Sequence, residues 1–157
     1  FCFDTRADTY DIFKVETIGD AWMGVTNCVK DQSNDHVKRI AQFALGTVKA
    51  ASETLIDRED PARGNVQIRV GFHSGPVLSN VIGSHNPHYT LFGDTVNTAS
   101  RMESTSQTGR IHCSESAALL LREQAPEIKT TCRGKVLIKG KGEMTTYWVD
   151  APLLHGQ

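Results

Sequence analysis

The sequence predicts an α+β sandwich, with helices packed on a largely antiparallel sheet. Three observations carry that reading. Short β-prone runs flank glycine-containing turns within residues 10–28 and again within 135–149, as hairpins do. Apolar residues between 34 and 56 recur with a 3.6-residue period, the mark of an amphipathic helix. Strands are therefore joined both by tight turns and by helices, which is the pattern of an α+β layer fold.

Taken in order, Tyr10 to Val15 mixes β-branched and aromatic residues with polar ones, and Ala21 to Val25 is a second short apolar run. Gly19-Asp20 marks a turn between them, which places Asp20 at or near the tip of a hairpin. A helix is predicted from about Asn34 to Ile56, with Val37, Ile40, Ala41, Ala44, Leu45, Val48 and Leu55 on one stripe and Asn34 or Ser33 as cap. Charges, a proline and a glycine make residues 57–65 a surface loop. Val66 to Phe72 alternates as a half-buried strand does, Ser74-Gly75-Pro76 turns the chain, and Val77 to Ile82 reads as the returning strand. Residues 83–88 are loop. A helix from about Asp94 to Ser104 follows, capped by Asp94. Arg110 to Cys113 is a short strand, and Ser114 caps a helix running to about Glu123. The final hairpin pairs residues 135–138 with 144–149 around the turn Lys139-Gly-Lys-Gly142.

A chain of 157 residues with a formal net charge of −1 suits one domain and gives no reason to expect a nucleic-acid backbone or an anionic membrane surface as partner. No apolar run approaches the roughly 20 residues that cross a bilayer, and no signal peptide is visible. The expectation is a cytoplasmic domain, compatible with a membrane anchor elsewhere in a parent protein. The four cysteines, Cys2, Cys28, Cys113 and Cys132, are scattered without paired spacing and read as free thiols. His85 and His88 are close in sequence but lie in a Gly/Asn/Pro-rich loop without further ligands, which argues against a metal there.

Four segments can carry chemistry. A carboxylate at a hairpin tip, Asp20, can reach a hard cation, although Asp is also an ordinary turn residue; Glu16 projects elsewhere. Asn97 and Arg101 stand four residues apart, so one helical face presents an amide and a guanidinium together. That pair suits a ribose and a phosphate, because the planar guanidinium matches phosphate oxygens, and it equally suits a solvated helix face. Lysines on the glycine turn 139–142 suit polyphosphate, or simply an exposed hairpin tip. Arg69 to Gly75 reads as buried sheet followed by a tight turn. The chain has no Walker A loop, Rossmann glycine fingerprint or nucleophile elbow.

As a set, "KVETIGDAWM", "RVGFHSGPV", "LFGDTVNTASRMES" and "KGKGEMTTYWV" resemble the class III nucleotidyl cyclases, the adenylate and guanylate cyclase family, from about residue 3 to residue 150. The resemblance implies a ferredoxin-like α/β sandwich over residues 1–150, with 151–157 as a tail. It implies that a ribose 3′-hydroxyl attacks the α-phosphate and expels pyrophosphate, assisted by two divalent ions, Mg2+ or Mn2+. Asp20 matches a metal-binding aspartate, Asn97 the ribose-positioning residue, Arg101 the residue that stabilises charge at the α-phosphate, and Lys139 the lysine that holds the terminal phosphates.

Family sites lie at a head-to-tail dimer interface, so the resemblance implies a second cyclase domain as partner. The metal carboxylates then come from one subunit, and the base-reading residues with Asn97, Arg101 and Lys139 from the other. A homodimer is feasible, because this chain carries residues of both halves; a heterodimer is the alternative. Base choice rests on Glu16 and Thr90. A carboxylate accepts from both guanine N1–H and the 2-amino group, whereas adenylate cyclases resemble one another in placing lysine there. A threonine hydroxyl serves either purine. The expected substrate is GTP, with an adenylate cyclase and a non-catalytic cyclase-like dimerisation module as rivals. Two departures stand out. The family's first strand, with its other metal aspartate, has no counterpart in this sequence, so a parent protein continuing upstream is expected. Pro76 stands where some members carry a phosphate-binding arginine.

Overall fold

The computed structural model describes residues 3–15, 21–82 and 88–150, with backbone alone for 78–82 and 88–92. Among the described residues the largest sheet has four strands. These are β3 (Val70–Phe72), β6 (Ile111–Ser114), β7 (Thr130–Ile138) and β8 (Gly142–Val149), in the order β3-β6-β8-β7. β3 runs parallel to β6, and β6–β8 and β8–β7 are antiparallel. All four residues of β6 are buried, as suits a strand covered on both faces.

Two helices cover one face. α2 (His36–Ser52) and α4 (Glu115–Gln124) enclose a core of Val37, Ala41, Ala44, Phe72, Ile111 and Leu121. On the other face α3 (Asp94–Ser104) lies over β3 and β6, and buried Met102 reaches His112 through its carbonyl, 3.0 Å from Nδ1. Here the layers touch main chain to main chain. A Cβ at Gly71 would lie 2.1 Å from the Glu103 nitrogen, so only glycine admits α3 at this height. Trp148 packs against His112 with the rings tilted by 45° and carries the Arg110 and Arg133 guanidinium groups 3.8 and 4.5 Å from its ring centroid.

Two smaller antiparallel pairs complete the description: β1 (Phe13–Val15) with β2 (Met23–Val25), and β4 (Leu78–Ile82) with β5 (His88–Phe92). α1 (Phe3–Tyr10) precedes β1 and packs Ala7 with Ile12 and Phe43. Trp22 lies against Phe3 and Phe43 at centroid distances of 5.8 and 5.2 Å, and its Nε1 donates to Asp4 Oδ1 at 3.0 Å.

The α+β class and the mostly antiparallel pairing agree with the sequence reading, and several elements differ from it. Tyr10 closes a helix rather than opening a strand. Asp11 takes a left-handed φ of 60° that ends α1, and only residues 13–15 extend. The aromatic and β-branched content that suggested a longer strand is used for packing instead. Val66–Phe72 and Val77–Ile82 do not form a hairpin with each other: β3 pairs with β6, and β4 pairs with β5. α2 starts and stops inside its expected span, because residues 53–56 are drawn into backbone bonds with 64–66, including Val66 N to Thr54 O at 2.7 Å. Its cap is not Asn34 or Ser33. The Val37 and Lys38 amides donate to Gln124 Oε1 at 2.9 and 3.1 Å, a cap supplied by the far end of α4. Ser114 does cap α4, accepting from the Ala117 amide.

Among the described residues no helix is long and apolar enough to cross a membrane. Cys28, Cys113 and Cys132 are free thiols, and burial pushes the Cys113 thiol up to about 12.

Candidate functional site

Two elements carry candidate residues: α3 holds Asn97 and Arg101, and the β7–β8 turn holds Lys139. Asn97 is exposed and Arg101 partly so; neither side chain has a hydrogen-bond or ion-pair partner among the described residues. Their four-residue spacing keeps both on one helix face. α3 begins one residue earlier than a side-chain cap at Asp94 requires. Gly93 is the N-cap, with φ 108° and no side-chain bond, and Asp94 is the first helical residue. Its carboxylate favours the positive end of the helix and pairs with Lys141 Nζ.

Lys141 belongs to the turn that carries Lys139. Gly140 and Gly142 adopt positive φ values of 81° and 77°, and Lys141 N donates to Ile138 O at 2.9 Å, which reverses the chain tightly. Lys139 is exposed and has no partner among the described residues. One ion pair therefore joins the lysine turn to the helix of Asn97 and Arg101.

Thr90 lies on β5 opposite Asn80, just ahead of α3. Glu16 and Asp20 fall between β1 and β2, outside the described residues, as do residues 83–87 with His85. Among the described residues no group of three His, Cys, Asp or Glu side chains is placed to hold a metal ion.

A cavity of about 500 Å³ lies on another side of the same helix, between β2 and β3 and against α2. Thr95, Ala99 and Glu103, at four-residue steps, line it, and Asn97, Arg101 and Lys139 do not. Thr95 Oγ1 also donates to the Pro76 carbonyl at 2.5 Å, fixing the turn after β3 to the first turn of α3.

Sequence reasoning passed over His73, Asp94 and Lys141 as interacting groups. His73 Nδ1 lies 2.6 Å from Ser114 Oγ. Its pKa is lowered by burial first and by nearby Lys141 second, with Asp94 opposing, so the imidazole is neutral near pH 7. The available signal was the second lysine of "KGKG" together with an acidic residue at a helix start.

Comparison with known proteins decides the family. Residues 1–151 match the adenylate and guanylate cyclase catalytic domain. The chain belongs to that family. This cyclase domain is 47% identical to guanylate cyclase soluble subunit beta-2 of Rattus norvegicus over 94% of the chain and 21% of the relative. It is 45% identical to guanylate cyclase 32E of Drosophila melanogaster over 94% of the chain and 12% of the relative. The domain thus spans a minor part of the curated relatives it matches. Among solved structures, the guanylate cyclase domain of RhGC from Catenaria anguillulae, in complex with GTP, superposes with a TM-score of 0.80 at 41% identity. That match covers 95% of this chain and 78% of the other. The adenylyl cyclase CyaB from P. aeruginosa shares the fold at a TM-score of 0.79 and 22% identity.

Proposed function

We propose that this domain is a guanylate cyclase that converts GTP to 3′,5′-cyclic GMP and pyrophosphate at sites shared between two cyclase domains. The observation that carries the reading is its 41% identity to a guanylate cyclase domain solved with GTP. Glu16 adds a chemical reason, since a carboxylate accepts from guanine N1–H and the 2-amino group and faces a bare lone pair on adenine N1.

Each side chain then has a task. Glu16 and Thr90 read the base, Asn97 orients the ribose, Arg101 faces the negative charge that grows at the α-phosphate, and Lys139 holds the terminal phosphates. The absence of a protein partner for the Arg101 guanidinium among the described residues suits a group kept for substrate. Bond making and breaking are in line: the 3′-oxygen joins the α-phosphorus as the bond to pyrophosphate breaks.

Magnesium or manganese fits the donor chemistry of Asp20, a hard carboxylate. When bound, such ions neutralise phosphate charge and acidify the attacking hydroxyl. Within the dimer, Asp20 of one subunit serves the site whose Asn97, Arg101 and Lys139 belong to the other. A homodimer is the proposed assembly. A cytoplasmic location is proposed for the domain, and a membrane-anchored parent accords with relatives such as the receptor-type guanylate cyclase gcy-8 of Caenorhabditis elegans.

The test is cyclic nucleotide production from GTP and from ATP by the parent protein with magnesium or manganese. Cyclic GMP in large excess is expected. Replacing Glu16→Lys with Thr90→Asp should move the preference towards ATP by orders of magnitude. Cyclic AMP in excess from the unaltered protein would keep the cyclase class and remove the base-reading argument. Neither product from a folded dimer would favour the non-catalytic module.

A further inference from the structure

The β7–β8 turn carries two lysines in different situations. Lys139 projects without a partner among the described residues, while Lys141 reaches across 47 positions of sequence to the Asp94 carboxylate. The Lys141 side chain is half as exposed as that of Asp94, 34% against 67%. The electrostatic environment of His73 includes both groups. Thr95, the next residue of α3, is bonded to the Pro76 carbonyl. The first turn of α3 is therefore held from two sides, by the turn after β3 and by the lysine turn.

We propose that Lys141 and Asp94 form a positioning pair, which sets the height of Lys139 relative to Asn97 and Arg101 and so fixes where the terminal phosphates of the nucleotide sit. The proposal rests on the reading of Lys139 as the ligand of those phosphates. Two glycines with positive φ bracket Lys141, and such a turn has other conformations open to it. A charge-assisted bond selects one of them. An exposed ion pair adds little to stability, yet a displacement of about 1 Å in a substrate-holding group can cost up to a hundredfold in rate. The pair thus acts on substrate binding and leaves folding nearly untouched. The competing use of Lys141 is direct contact with phosphate, in which case Asp94 would compete with the substrate for it.

The test is a double-mutant cycle in the full protein, reading KM for GTP, inhibition by added pyrophosphate, and the melting temperature. Asp94→Asn, Lys141→Met and the double variant should each raise KM and weaken pyrophosphate inhibition by about tenfold, with the double no worse than either single. Melting temperatures should stay together, and Lys141→Arg should keep most of the wild-type behaviour. Wild-type KM in Asp94→Asn beside an impaired Lys141→Met would overturn the pair in favour of direct phosphate contact; additive losses would overturn it too. Lys139→Ala separates the underlying reading. If that variant binds pyrophosphate normally, the assignment of Lys139 fails and takes the proposal with it. If it is impaired while Asp94→Asn is normal, only the positioning pair fails.

Discussion

The two halves of the candidate site rest on unequal scaffolds. Lys139 stands at the end of a β7–β8 ladder with eight paired positions, joined through β8 to the four-stranded main sheet. Asp20 belongs to the connection between β1 and β2, whose ladder has three paired positions in a sheet of two strands among the described residues. Strand pairs gain stability from neighbours on both faces and both edges, and an isolated two-stranded unit is marginal alone. The lesson is a division of labour. The part assigned to phosphate, ribose and developing charge is built into the main sheet and its helix. The part assigned to the metal hangs on a short ladder steadied by Trp22, Phe3 and Phe43.

Exchanging subunits tests that division most severely. Asp20→Ala disables the small-sheet half and Arg101→Ala the main-sheet half, and each alone should lower cyclase activity by about a hundredfold or more. Mixing the two proteins should restore activity through one intact site per heterodimer. A mixture that stays inactive, with both variants folded and dimeric, would show that one chain supplies both halves of a site.

Next in size is a pair of glycine substitutions. A Cβ at Gly71 would meet the α3 backbone at 2.1–2.2 Å, and main chain cannot step aside. A Cβ at Gly24 would meet the Trp22 ring and the Ile12 side chain at 2.6–2.7 Å, and side chains can shift. Gly71→Ala should cost about 3 kcal/mol or more and Gly24→Ala nearer 1 kcal/mol, read by chemical denaturation. Equal costs would erase the distinction between the two scaffolds.

The smallest effect is on pH. Burial lowers the pKa of His112, with the Met102 carbonyl bond opposing and Arg133 adding to the lowering, and burial likewise lowers that of His73. Both stay neutral in the fold, whereas the unfolded chain takes up protons below the ordinary histidine value of 6.5. Stability from this source is complete above pH about 6.5 and declines as pH falls towards the lowered folded values. Thermal melts at stepped pH should show the decline, and His112→Asn should flatten it. An unchanged slope in that variant would assign the acid sensitivity to other groups.

How far the sequence was legible follows the same contrast. Asp94–Ser104 was readable as a helix, although Asp94, expected as its cap, is its first helical residue. The Ser114 cap and the last hairpin were equally local signals. α1 was not readable, since Phe3–Tyr10 has no clear apolar stripe and is held by aromatic contacts from Trp22, just ahead of β2, and Phe43 of α2. The parallel pairing of β3 with β6 was hidden behind an adjacent turn that suggested a hairpin. Residue types at the site were legible as a set of motifs. The ion pair between Asp94 and Lys141 joins two motifs far apart in sequence, and only the fold brings them into contact.

The cap that Gln124 supplies to α2 also orders events in time. Two of the four amides that open α2 wait for an acceptor 86 and 87 positions further along the chain. As the polypeptide leaves the ribosome, α2 is complete in sequence well before α4 exists, and its first turn has no side-chain acceptor for those amides until Gln124 has emerged and docked. Closing so long a loop is slow relative to helix formation. The last step in seating α2 is therefore tied to the arrival of the chain's C-terminal half.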